Sequence, residues 1–215
     1  MLTIKNLCKK FGSFEAVKNL SMQLGSGDFI GFLGPNGAGK TTTIKIVAGL
    51  LSPTSGEVFI NGFNNQTDSI NSKRFLSYIP DHPFLYDKLT GLEFIYFCGG
   101  LYGMSGIELK LKVDSVIDEL KISSWIDKRT ESYSQGMKQR TVIASALIHD
   151  PKLLLIDEPM VGLDPQSAKI VKEVFKKKSE EGCSILMSTH SLNVAEEICN
   201  RIAIIKDGEL IFNDK

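Results

Sequence analysis

The chain has 215 residues, with 25 Lys+Arg against 25 Asp+Glu, and 42% of its residues are hydrophobic. That length allows one substantial core, or a core with one insert, at roughly 100–200 residues per domain, and the ordinary composition excludes disordered, collagen-like and disulfide-scaffold chains. Cancelling charges argue against a protein that grips a nucleic-acid backbone through a strongly basic face, though they leave room for local patches.

From the N-terminus, Leu2-Thr3-Ile4-Lys5-Asn6-Leu7, the partly alternating AVKNLSMQL run and Asp28–Leu33 read as short strands. Thr42–Leu50 reads as a helix with Ile44, Val47 and Ala48 on one face, and Ser55–Gly62 as a strand between turns. From about Pro83 to Ser132 the texture becomes helical, and in Glu108–Ile122 the residues Leu109, Val113, Val116, Ile117 and Leu120 recur at helix-face spacing. Three continuous apolar runs follow, Leu153–Asp157, Ser184–Thr189 and Ile202–Lys206, and the last apparent strand is Glu209–Phe212. Apolar runs alternating with helices fit buried strands of a parallel sheet covered on both faces, so the class is α/β. No linker or internal repeat divides the chain.

The longest apolar stretch free of charge, Phe94–Ile107, contains four glycines and falls short of the about 20 residues a membrane helix needs. Lys5, Lys9 and Lys10 interrupt the N-terminal segment, so it does not read as a signal peptide. Cys8, Cys98, Cys183 and Cys199 lie far apart without metal-ligand spacing and read as reduced, packed cytosolic thiols.

The chemistry is concentrated in Gly34-Pro35-Asn36-Gly37-Ala38-Gly39-Lys40-Thr41, with Thr42 following. This is the G-x-x-x-x-G-K-[ST] spacing, set between a predicted strand and a predicted helix. Glycines let the backbone turn its N–H groups onto an anion, the helix adds its positive end, Lys40 adds charge at the outer phosphates, and the Thr41 hydroxyl suits Mg2+. A second acid is needed for the metal, and Asp157 stands at the end of an apolar strand; Glu158, next to it, suits a general base for water. Taken alone, two acids there also fit caps or surface charges.

Tyr133-Ser134-Gln135-Gly136-Met137-Lys138-Gln139-Arg140 resembles the signature motif of ABC-type ATPases. It keeps the serine and the second glycine of the usual L-S-G-G-Q, with Gln135 for the first glycine and Met137 for the glutamine. Ser134 also reads as a helix N-cap. Val161-Gly162-Leu163-Asp164 is similar to the family's D-loop, and Asp164 followed by Pro165 is equally a good N-cap and first helical residue. Met187-Ser188-Thr189-His190 resembles the switch-histidine segment, and Phe11 corresponds to the aromatic that stacks on adenine. Ser77-Tyr78-Ile79-Pro80-Asp81 matches the Q-loop region but has Asp81 where the family has glutamine, a shorter side chain without the amide donor.

The resemblance runs from Leu2 to about Ile211 and implies a P-loop NTPase core of ABC type. It comprises a mostly parallel sheet, an N-terminal antiparallel β subdomain and an inserted helical subdomain, with 1–82 and 136–215 as core and 83–135 as the insert. The resemblance also implies an ATP-hydrolysing transporter subunit, dimeric around two ATP molecules with Mg2+. Glu158, His190 and Lys40 are then catalytic, and Phe11, residues 34–42, Ser134, Gly136 and Asp164 hold nucleotide. Thr41, Asp81 and Asp157 serve the metal.

The partners so implied are a separate transmembrane permease and a second nucleotide-binding subunit, which puts the chain at the cytoplasmic face of the membrane. The signature and Q-loop details look most like bacterial exporter subgroups handling drugs, lantibiotics or other peptides. The alternatives are a soluble ABC-type ATPase acting on nucleic acid or ribosomes, another phosphate-loop enzyme such as a small-molecule kinase or GTPase, and an ATP-gated switch without transport. The first lacks the paired domains and basic clusters of its kind here. The second lacks the N-K-x-D guanine-reading sequence.

Overall fold

The computed structural model describes residues 1–214, which form two compact units. The first consists of Met1–Tyr78, Lys152–Glu158 and the chain from Lys178 onward; the second consists of Ile79–Pro151 and Pro159–Lys177.

The first unit begins with a long antiparallel pair, β1 (Leu2–Phe11) and β2 (Phe14–Leu24). With β4 (Ser55–Ile60) and the short β5 (Phe63–Asn64) they make a four-stranded sheet ordered β2-β1-β4-β5. β3 (Phe29–Leu33) enters the second sheet and is followed by α1 (Lys40–Val47). The helix starts two residues earlier than its sequence pattern suggests, because Gly39, at φ 108°, caps it directly from the phosphate loop. It ends before Gly49, whose φ of +69° takes the chain out of the helix.

After α2 (Ser69–Lys73) come β6 (Leu76–Ile79), β7 (Leu153–Asp157), β8 (Ser184–Thr189), α7 (Leu192–Ile198), β9 (Arg201–Lys206) and β10 (Glu209–Asp214). The second sheet is ordered β10-β9-β3-β8-β7-β6. β9, β3, β8 and β7 pair in parallel, and β10 returns antiparallel along one edge. β3, β7 and β8 are buried at every residue, as their uninterrupted apolar sequences require of central parallel strands. One continuous apolar core, from Leu2, Ile4 and Leu20 through Ile44 and Val47 to Leu155 and Ile205, fills the space between sheets and α1. The expected α/β class, mostly parallel sheet and antiparallel N-terminal sheet are all present.

The second unit is helical. α3 (Gly91–Leu101) opens with a capping box, in which Thr90 accepts from the Glu93 amide and Glu93 accepts from the Thr90 amide. α4 (Gly106–Leu120) buries Leu109, Val113, Val116 and Leu120, with Ile117 half-buried, and ends at Lys121 in the left-handed region. Gly99 lets α3 and α4 touch: a methyl built there would lie 2.3 Å from Leu109 Cδ1. A 3-10 turn (Thr130–Ser132) leads to α5 (Gln135–Leu147), whose second half is buried without a break. α6 (Pro165–Glu180) supplies its first 13 residues to this unit and its last three to the other.

Candidate functional site

The first unit gathers the phosphate loop and three of the predicted reactive side chains at one end of its large sheet. β3, β8 and β7 are parallel neighbours, with Leu33 opposite Thr189 and Asp157 opposite Ser188. Their carboxyl ends therefore deliver Gly34–Gly39, His190 and the Asp157-Glu158 pair to one edge of the sheet, where α/β proteins place ligands.

The loop's shape is fixed by close neighbours. A methyl on Gly34 would lie 2.3 Å from the Ile205 carbonyl oxygen, and one on Gly39 would lie 2.5 Å from that of Ala16. Gly37 also has a positive φ, 80°. On its outer side the loop is tied to the β9–β10 turn, because the Gly208 amide donates to the Ala38 carbonyl at 3.1 Å. Lys40 is buried and donates its ammonium to the Gly34 and Pro35 carbonyls at 2.6 and 3.1 Å. The loop thus holds its own cation. Thr41 and Thr42 are half-buried in the first turn of α1, while Pro35 and Asn36 are exposed and Ala38 is buried.

Asp157 is 1% exposed. Its Oδ1 accepts the Ser188 hydroxyl, and its Oδ2 has no hydrogen-bond partner. A buried carboxylate oxygen left without a donor costs free energy unless something occupies it. A hard divalent cation with oxygen ligands matches that oxygen in charge and chemistry, so the residues present suit Mg2+.

Glu158 has φ +48°, a left-handed conformation seldom adopted by a residue other than Gly, Asn or Asp. Its amide donates to both the carbonyl and the hydroxyl of Ser188, each at 3.2 Å, and these bonds hold it there. The carboxylate is mostly buried and lies 3.0 Å from Nδ1 of His190, whose ring is largely exposed. The strained backbone directs one acid away from its buried neighbour and onto the histidine. Phe11 closes β1 opposite Phe14; its ring is half exposed, with Lys9 Nζ 4.9 Å from the centroid. This hairpin feeds β2, whose Ala16 packs on Gly39.

The second unit carries Ser134, Gly136, Asp164 and Asp81. Ser134 caps α5 by accepting from the Met137 amide at 3.3 Å. Asp164 caps α6, accepting from the Ser167 amide at 3.0 Å and its hydroxyl at 2.5 Å. Those two bonds, the hydroxyl's first, hold its carboxyl below the usual carboxylate range. Gly136 faces this loop: a methyl there would lie 3.7 Å from Leu163 and 3.9 Å from the Asp164 carboxylate. Asp81 stands apart in the loop after β6, where both oxygens are engaged by His82, one by the amide at 2.9 Å and one by Nδ1 at 2.8 Å.

Three supporting residues carry no role in the sequence reading. Ser188 bonds both Asp157 and the Glu158 amide. It lies inside the segment singled out for His190, so its position was visible but its partners were not. Tyr133 is buried; it donates to the Trp125 carbonyl at 2.9 Å and receives the Gly91 amide at 3.2 Å, and burial pushes its phenol above the ordinary value. Arg140 lays its guanidinium 4.4 Å from the Trp125 ring centroid.

No helix among the described residues is long and apolar enough to cross a membrane. The family described as ABC transporter matches residues 17–161. An uncharacterised ABC transporter ATP-binding protein of Bacillus subtilis (strain 168), YxlF, is 39% identical over 98% of this chain and 69% of its own length. The SkfA peptide export ATP-binding protein SkfE of the same organism is 36% identical over 98% of this chain and 87% of its own. A dimeric ATP-binding cassette in a post-hydrolysis state, bound to ADP and Pi, superposes over all of this chain and 98% of that one, with a TM-score of 0.90 at 29% identity. Agreement of this breadth in sequence and in fold identifies the family: the chain belongs to the ABC transporter family, as an ATP-binding, ATP-hydrolysing subunit.

Proposed function

We propose that this subunit closes as a dimer around two ATP molecules and drives export through a separate transmembrane permease, working at the cytoplasmic face of the membrane. The observation that carries the proposal is the bare, buried Oδ2 of Asp157 beside the Glu158–His190 pair at one sheet edge. Such an arrangement is costly by itself, and binding a cation with its phosphates offsets the cost. The export direction is supported by likeness to SkfE, named for peptide export.

In this reading the amides of 34–42 and Lys40 bind the phosphates, and Phe11 stacks on the adenine. Thr41 and Asp157 hold Mg2+, which supplies neutralising charge at the phosphate oxygens when bound. Glu158 accepts a proton from water as the water oxygen bonds to the γ-phosphorus; the bond from that phosphorus to the bridging oxygen breaks, and ADP carries away the electron pair. His190, in contact with Glu158, orients the water and the γ-phosphate. Ser134, Gly136 and Asp164 of a second copy complete each site: Ser134 accepts its cap bond and keeps its own O–H to donate, and the first amides of α5 point at the anion. The helical segment 83–135 is the part that meets the permease, with Asp81 at its entry as the coupling residue.

The test is Glu158→Gln with ATP and Mg2+. Turnover falls by about 10²–10⁴-fold, as expected for loss of a general base, while ATP is still bound and a dimer accumulates, read by size-exclusion chromatography. Wild-type turnover in the variant overturns the assignment.

A further inference from the structure

The second unit contains a contact that the family's usual residues would not make. Gly162 sits in the D-loop at φ +77°, and a methyl built on it would lie 2.8 Å from Cγ of Gln135, with Cβ and Cδ at 3.7 and 3.9 Å. The methylene stem of Gln135 therefore lies directly on the face of Gly162 where other residues carry a side chain. Gln135 is the first residue of α5 and occupies the position where the signature motif usually has glycine. A glycine there would leave that face of Gly162 bare.

One further residue of α5 faces the same loop, and a second feels its charge. Gly136 meets Leu163 and the Asp164 carboxylate, and one turn on, the Asp164 charge acts on the half-buried Arg140 guanidinium, opposing the lowering that burial imposes. The start of α5 and the D-loop thus pack as one block, with Gln135 as its outermost lock.

We propose that Gln135 is a positioning residue for the D-loop, holding Gly162–Asp164 against its own signature helix so that both present themselves to a partner subunit together. This rests on the dimeric reading above. The physical basis is steric: a glycine at positive φ has a wide range of backbone states, and a methylene chain stacked on its Cα removes many of them before the partner arrives.

The test is a double-mutant cycle in the intact protein, measured as ATP turnover. Gln135→Gly lowers kcat by about threefold to thirtyfold, within the range for coupled neighbours, with ATP affinity of the monomer unchanged. Gln135→Met, which keeps the stem and loses the amide, restores at least half of wild-type kcat. Gly162→Ala alone lowers kcat through both its strained φ and its clash with Gln135, and in the Gln135→Gly background its fold-loss is at least threefold smaller because the clash is gone.

Independent, multiplicative effects overturn the proposal, as does a Met variant no better than the Gly variant, or wild-type kcat in Gln135→Gly. Thermal melts of each variant separate folding from positioning. Glu158→Gln trapping supplies the control: if it traps a dimer while Gln135→Gly turns over normally, the dimeric reading stands and only the lock falls. If it neither traps a dimer nor slows turnover, the dimeric reading itself fails.

Discussion

The candidate-site side chains of the two units are held in opposite ways. In the first, the sheet edge holds Asp157 buried with one oxygen bare, Glu158 in a left-handed conformation, and Lys40 resting on the loop's own carbonyls. In the second, Ser134 and Asp164 are exposed and already satisfied as helix caps. A site left unsatisfied at the end of a rigid parallel sheet stores free energy that a ligand can release. A site built of satisfied caps is stable by itself and has only spare lone pairs, O–H groups and helix amides to offer another molecule. The first arrangement suits binding and chemistry; the second suits recognition.

The sharpest way to break this contrast is Asp157→Asn. It removes the buried charge, so the empty protein becomes more stable by about 1 kcal/mol, seen as a raised melting temperature. The additional stabilisation that Mg2+ gives to ATP binding disappears. An empty protein that is destabilised, with Mg2+-dependent binding intact, refutes the idea of a charge held ready for a cation.

Ser188→Ala is a milder probe of the same edge. It removes the hydroxyl that bonds Asp157 and the Glu158 amide, so Glu158 loses part of what holds its unusual φ. Stability falls by about 1–3 kcal/mol in denaturant titration, and turnover falls by roughly tenfold with ATP affinity nearly preserved. A loss of affinity equal to the loss of rate contradicts it.

The smallest effect belongs to the second unit. Ser167 holds the Asp164 carboxyl below its ordinary value of 3.8. A depressed folded pKa adds stability that is complete above the unfolded value and lost as the pH falls through the folded one. The α6 cap therefore loosens only in acid, and nothing changes there between pH 5 and 8. In carbon-detected titration, Ser167→Ala moves the Asp164 midpoint upward; an unmoved midpoint removes the cap as its cause.

Much of the fold was legible in order. Apolar runs such as Leu153–Asp157 and Ser184–Thr189 are readable because a strand buried on both faces admits almost nothing else. The glycine-rich loop is readable because its spacing serves a local backbone shape. The start of the helix at 40–47 is not written in its apolar spacing, since it depends on the φ of Gly39. Other features were not legible. That Ser188 holds both acids follows from the register of β7 against β8, set across 31 residues of sequence. That Gln135 covers Gly162 follows from the start of α5 and the D-loop meeting in space.

By itself, then, the sequence determined the order of the long strands and of the helical region, the phosphate loop and the neighbouring acids, because each is written in consecutive residues and enforced by local sterics and periodic burial. Tertiary structure alone decided which oxygen of Asp157 stays bare, that Glu158 meets His190 at 3.0 Å, and that Asp81 is turned onto His82. Those outcomes depend on strand register and side-chain packing between distant segments. No local pattern encodes them, because the free energy that selects them exists only once the chain has closed on itself.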